Sequence, residues 1–159
     1  VSWKVGIVTV SDRCANGDRE DSSGQLLIRL CQNWQVTEYK VIPDEQQQIE
    51  QTLIQLADQA GCDLILTTGG TGFAVRDVTP EATRAVIHRE APGLCEAMRA
   101  ATASQTKFAI LSRAVAGIRN QTLIVNLPGS PKGVEECFAA IADVLPHALE
   151  VLTKNVSHS

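Results

Sequence analysis

The chain has 159 residues, enough for one domain with a sizeable core, and 44% of them are hydrophobic against 20% charged. A formal net charge of −4 argues against a general nucleic-acid binder, which would carry a basic stripe, but leaves room for a local basic pocket. No run approaches the roughly 18 apolar residues of a membrane span. The first residues enter a strand without a secretory apolar segment, and five scattered cysteines lack any CxxC pair. These features read as a cytoplasmic protein with reduced thiols.

In chain order, "WKVGIVTV" (3–10) is a β-branched run that predicts a first buried strand ending in "SDR". The segment 21–34 places Leu26, Leu27, Leu30 and Cys31 on one helical face, and "QVTEYKVI" (35–42) reads as a second strand. Pro43 and Asp44 break it. A helix follows with Ile49, Leu53, Leu56 and Ala60 in a stripe, stopped at Gly61. "DLILTT" is a continuous apolar run, as expected of a strand covered on both faces. A helix over 79–90 is predicted with Thr79 as N-cap and Pro80 at its first position, then another over 92–105. Two β-rich runs surround "RNQ". The last helix starts near Val134 and is kinked or restarted at Pro146, and the tail "KNVSHS" is expected to fray. Strands alternating with amphipathic helices predict an α/β three-layer sandwich, a mainly parallel sheet with helices on both faces, in one domain over 1–159.

Loops at the carboxyl ends of parallel strands line the ligand crevice in such folds. Four fall there: "SDR" (11–13), "PDE" (43–45), "GGTG" (69–72) and "LPGSPKG" (127–133). Gly69, Gly70, Thr71 and Gly72 form a loop nearly free of side chains, whose amides suit anionic oxygens. It is neither a Walker loop nor a dinucleotide fingerprint. Its lack of side chains is expected to reflect phosphates lying against the backbone.

Asp44 and Asp77, at strand ends beside this loop, are natural Mg²⁺ ligands. Plainer roles stay open: Asp44 starting the next helix, Asp77 capping or pairing with Arg76, Asp12 making a local turn. Ser112, Arg113 and Lys132 are candidates for holding phosphate or a polar ring. His88, His147 and His158 show no metal spacing, and the first two are expected on helix surfaces. No Ser/His/Asp or Cys/His nucleophile is evident. That favours chemistry in which the substrates supply nucleophile and electrophile and the protein positions them, as in phosphoryl or nucleotidyl transfer.

The stretches "TVSDR", "DSSG", "IPDE", "DLILTTGGTGFAVRDVTPEAT", "ILSRAVAGIR" and "NLPGSPKGVEEC" resemble, in order, the molybdopterin adenylyltransferase family of Mog/MoaB-type domains, also found in plant molybdenum cofactor enzymes and gephyrin. The resemblance implies a cytoplasmic homotrimer that uses Mg²⁺ and ATP to adenylylate molybdopterin, releasing pyrophosphate. A downstream metal-insertase is an implied partner; nucleic acid and membrane are not. The family's functional aspartates fall on Asp44 and Asp77, its nucleotide loop on Gly69–Gly72 and its pterin-side serine on Ser112. Asp12, Arg113, Ser130 and Lys132 complete the substrate-binding set, with Ser130 where family members often carry Asn or Gln. A trimeric MoaB-type molybdopterin-binding or scaffold protein without adenylylation is the rival reading.

Overall fold

The strands are β1 (Lys4–Val10), β2 (Gln35–Ile42), β3 (Leu64–Thr68), β4 (Arg89–Glu90), β5 (Ala116–Arg119) and β6 (Thr122–Leu127). They form one sheet in the order β2-β1-β3-β6-β5-β4, seen in a computed structural model that describes residues 2–154. The pairs β1–β2, β1–β3 and β3–β6 are parallel, and β5 and β4 close the other edge antiparallel. Asn120, at φ 52, turns the chain between β5 and β6. The turn-forming "RNQ" is thus a tight hairpin.

Every residue of β3 and β6 is buried, and all of β1 except Lys4. Helices cover both faces, and alternate side chains enter two cores. Val5, Ile7, Leu64, Leu66, Leu123 and Val125 face one; Val8, Val10, Ile65 and Ile124 face the other. Each such buried side chain contributes roughly 1.5–3 kcal/mol by leaving water.

The helices are α1 (Asp12–Ala15), α2 (Ser22–Leu30), α3 (Gln46–Ile54), α4 (Thr79–Val86), α5 (Pro92–Ala103), α6 (Pro131–Ile141) and α7 (Leu145–Thr153). A wider π turn, Gln55–Gln59, extends α3, and a 3-10 turn, Lys107–Leu111, follows α5. The α3 and α4 helices pack together on one face of the sheet; on the other, α6 packs on α2 and α5.

The structure departs from the sequence reading at three helix ends. The α4 helix stops at Val86 rather than running to residue 90, because 89–90 pair with β5; His88 therefore sits beyond the helix, accepting from the Asn120 amide. Thr79 is not the N-cap. Val78 holds that position, and the Thr79 hydroxyl donates to the Gly69 carbonyl instead. The last helical stretch starts at Pro131 rather than near Val134, while its expected restart around Pro146 is present as a second helix from Leu145. The expected fraying concerns mostly 155–159, which lie outside the described residues, as does His158.

Candidate functional site

The chain leaves β3 through a loop whose shape is set by its neighbours. Gly69 has φ +100, and a Cβ there would lie 2.3 Å from the Val10 carbonyl oxygen. Gly70 has φ +71, and its Cβ would lie 2.3 Å from Thr79 Oγ1. These two glycines are required by the fold before any ligand is considered, at positive φ values that would strain a Cβ. Gly72 is different: its φ is unexceptional and the nearest atom to a Cβ would be Asp77 Oδ2 at 3.0 Å.

Every carbonyl in this loop is tied backwards. Gly69 O accepts from the Thr79 hydroxyl (2.9 Å), Gly70 O from the Thr79 amide (3.1 Å) and Thr71 O from the Arg113 amide (2.9 Å). Gly72 O accepts from Arg113 Nε at 2.8 Å. The same guanidinium donates to Asp77 O at 2.7 Å and to Glu81 at 2.6 Å. The amides of Gly70, Thr71 and Gly72 donate to nothing among the described residues. A turn with its acceptors spent and its donors unspent is an anion-binding nest.

Two cavities flank this loop. The smaller, about 350 Å³, is lined by Thr9, Ser11, Asp21, Ser23, Asp44, Thr68, Gly69, Gly70, Asp77 and Ser130, among others. Nearly all of these stand at strand ends or helix starts. Asp21 caps α2, accepting from the Gly24 amide at 2.9 Å, and also accepts from the hydroxyls of Thr9 and Tyr39. Ser130 caps α6 through the Gly133 amide at 3.1 Å. The hydroxyls of Thr68 and Ser23 donate to Pro128 O and Gly129 O at 2.6 and 2.7 Å, fixing the last strand-end loop against the others.

Asp44 and Asp77 both face this smaller cavity. Neither takes the plainer role. Glu45, not Asp44, is the N-cap of α3, and Asp77 accepts from the Ala74 amide while Arg76 pairs with Asp12 and Glu45. Asp12 and Asp44 exchange contacts, each backbone amide donating to the other's carboxylate at 3.0 Å. The bidentate Arg76 hydrogen bonds hold the Asp12 carboxyl below the usual range. Burial, then the neighbouring charges of Asp12 and Asp77, push Asp44 above it. Among the described residues no group of three or more His, Cys, Asp or Glu is placed to hold a metal. Two carboxylates beside a phosphate nest nevertheless fit Mg²⁺, which takes one or two carboxylates and completes its octahedron with phosphate oxygens and water.

The larger cavity, about 550 Å³, lies across the loop. Thr71, Gly72 and Ser130 line it beside Cys95, Met98 and Arg99 of α5, Glu136 and Cys137 of α6, and Phe108, Leu111 and Ser112 between α5 and β5. Burial pushes the Cys95 and Cys137 thiols up to about 11, so both are neutral.

The structure therefore gathers most of the sequence candidates. Asp44, Asp77, Gly69 and Gly70 line the smaller cavity, Thr71, Gly72, Ser112 and Lys132 the larger, and Ser130 both. Asp12 and Arg113 line neither; their charged groups are spent on holding the loops together. Sequence reasoning missed Arg99 and Glu136, which look like ordinary helix-surface charges. It also missed Asn126, buried beside the larger cavity, which donates to Thr67 and Thr83 and accepts from the Val115 amide. An asparagine inside the apolar run "TLIVNL" was the available signal.

The domain is a three-layer α/β fold with a polar, carboxylate-bearing pocket and a more apolar one on either side of a glycine loop. The chain matches, over residues 6–147, the family model described as a probable molybdopterin binding domain, and it belongs to that family. It is 41% identical to the molybdopterin adenylyltransferase of Helicobacter pylori (strain J99) over 95% of this chain and 88% of that protein. It is 48% identical to the molybdopterin adenylyltransferase of Haemophilus influenzae over 88% of this chain and 73% of that one. The crystal structure of the molybdopterin biosynthesis enzyme MoaB from Thermus thermophilus superposes with a TM-score of 0.91 at 49% identity, covering 96% of this chain and 97% of the other.

Proposed function

We propose that this protein is a molybdopterin adenylyltransferase of molybdenum cofactor biosynthesis, transferring AMP from ATP to the terminal phosphate of molybdopterin. The observation that carries this reading is the glycine loop as a wall common to two cavities, with its amides unspent. The nucleotide phosphates occupy the smaller cavity, against Gly69, Gly70 and the helix starts capped by Asp21 and Ser130. The pterin occupies the larger cavity beside Ser112, Ser130 and Lys132, and its phosphate reaches the loop at Thr71 and Gly72.

In this arrangement a phosphate oxygen of molybdopterin attacks the α-phosphorus of ATP, and the bond to pyrophosphate breaks. The nucleophile belongs to the substrate, so the protein needs no activated serine or cysteine. Asp44 and Asp77 hold Mg²⁺, which when bound neutralises and orients the triphosphate charge. Arg113 keeps the loop rigid from behind, and Arg76 and Asp12 lock the strand-end turns to one another.

A homotrimer completes the reading. It is supported by a third, largely apolar groove of about 950 Å³, away from the glycine loop, where Leu94, Ile118, Val144, Val151 and Leu152 line the β4–β5 edge, α5 and α7. Val144 and Val151 are 49% and 45% exposed there. A monomer sedimenting at micromolar concentration would remove the trimer.

Incubation of the pure protein with ATP, Mg²⁺ and molybdopterin tests the activity. Adenylyl-molybdopterin and pyrophosphate are expected in equal amounts. Tight molybdopterin binding with no ATP turnover would make the protein a binding or scaffold domain instead.

A further inference from the structure

Two half-buried charges in the larger cavity form no ion pair with any described residue. Arg99 lies one turn along α5 from Cys95, and Glu136 precedes Cys137 on α6; both line the cavity. Of the three half-buried arginines, Arg113 and Arg119 are paired with Glu81 and Asp58, but Arg99 is not. Its Nη1 makes only long contacts, 3.3 and 3.4 Å, to the carbonyls of Ser112 and Ala114. These place the guanidinium and leave most of its N–H groups unspent. Glu136 forms no ion pair with any described residue, neither with Arg99 nor with the exposed Lys132 one turn before it.

Holding opposite charges half out of water, beside Met98, Cys95, Leu111 and Phe108, costs free energy that their own pairing would offset. They are not paired. The ligand that satisfies both must offer hydrogen-bond donors to a carboxylate and an acceptor to a guanidinium. A 2-amino-4-oxopteridine does so: its 2-amino group and N3–H form a donor edge, and its 4-carbonyl is an acceptor.

We propose that Glu136 and Arg99 read the pterin ring, the Glu136 carboxylate accepting from the 2-amino group and N3–H and the Arg99 guanidinium donating to the 4-carbonyl. The assignment rests on the larger cavity being the molybdopterin pocket, and it makes these two residues the determinants of pteridine specificity.

The probes are 6-hydroxymethylpterin and 6-hydroxymethyllumazine, which share the 4-carbonyl and N3–H and differ in an amino or an oxo group at position 2, with N1 protonated in the lumazine. Their binding is followed by ligand fluorescence on the wild type, Glu136→Gln and Arg99→Met, with thermal melting to check folding. The wild type is expected to prefer the pterin by at least about tenfold, because the lumazine turns an acceptor toward the carboxylate. Glu136→Gln, whose amide donates as well as accepts, should narrow that preference to under about threefold. Arg99→Met should weaken both probes by a similar factor, since both carry the 4-carbonyl. A folded Glu136→Gln protein that keeps the full preference overturns the assignment. So does a wild type that binds molybdopterin yet does not distinguish the probes, which leaves the pocket itself intact. A wild type that binds neither the probes nor molybdopterin overturns the pocket reading and this assignment with it.

Discussion

The smaller cavity is walled by the ends of parallel strands and the turns that follow them; the larger is walled by one face of α5, one face of α6 and the segment between α5 and β5. The first is made from backbone, hydroxyls and carboxylates locked by hydrogen bonds of 2.6–3.2 Å. The second is made mostly from side chains on helices, with two half-buried charges, Arg99 and Glu136, that form no ion pair with a described residue. A wall of tied peptide groups can present amides to an anion with little motion, which suits a phosphate whose shape never varies. A wall of helix side chains can be re-cut one residue at a time, which suits the part of a substrate that must be told from its analogues.

The largest expected effect falls on the rigid side. Asp77→Asn should lower adenylyl transfer on the order of 10²–10³-fold while molybdopterin affinity stays within about threefold, because the lost charge acts at the phosphates and not at the pterin. Single-turnover product formation and direct molybdopterin titration measure the two. Near-normal turnover in both Asp77→Asn and Asp44→Asn would remove the metal assignment and blur the division between the cavities.

A second test separates the fold's demands on the loop from the ligand's. Gly70→Ala should cost roughly 1–2 kcal/mol of stability, since its φ is +71 and the Thr79 hydroxyl already occupies the Cβ position. Gly72→Ala meets no such strain. It should leave urea unfolding almost unchanged and weaken molybdopterin about tenfold by crowding Asp77 Oδ2 and the nest amides that its phosphate reaches. Equal molybdopterin affinity in Gly72→Ala and wild type would mean that its phosphate does not reach that residue.

The smallest effect is one of pH. Burial and the charges of Asp12 and Asp77 raise the folded-state pKa of Asp44 above its ordinary 3.8. The folded state therefore holds that proton more tightly, and the associated stability is full below 3.8 and lost as pH rises through the folded value. At pH 7 the ionised carboxylate is a liability, so Asp44→Asn should melt roughly 1–4 °C higher than wild type without Mg²⁺, the gap closing toward pH 4. Adding Mg²⁺ should reverse the order. Calorimetry across that pH range checks the sign; a lower Tm for the variant at pH 7 without Mg²⁺ contradicts it.

The two cavities were unequally legible in the sequence. Glycines, prolines and aspartates at strand ends are punctuation, so "IPDE", "GGTG" and "RDVTP" could be placed at one edge of the sheet from the strand pattern. What Gly69 and Gly70 answer to, the Val10 carbonyl and the Thr79 hydroxyl, is a matter of contacts made across the sheet. Arg76 and Asp77 illustrate the same limit: adjacent in the chain, they turn to different partners. Arg99 and Glu136 could not have been singled out, since a charge on a helix reads as solvated until the facing helix is known. The helix predicted over 79–90 overran for a related reason. Only the antiparallel pairing with β5 says where it must stop.

Successive residues of the glycine loop line different cavities, Gly70 the smaller and Thr71 the larger. The loop is a boundary common to the occupants proposed for both. Any arrangement of its amides that one occupant imposes is already in place when the other arrives. Thermodynamic linkage makes this help mutual: whatever factor bound ATP contributes to molybdopterin affinity, bound molybdopterin returns to ATP. If both substrates bind as proposed, their shared wall is where that coupling would be carried.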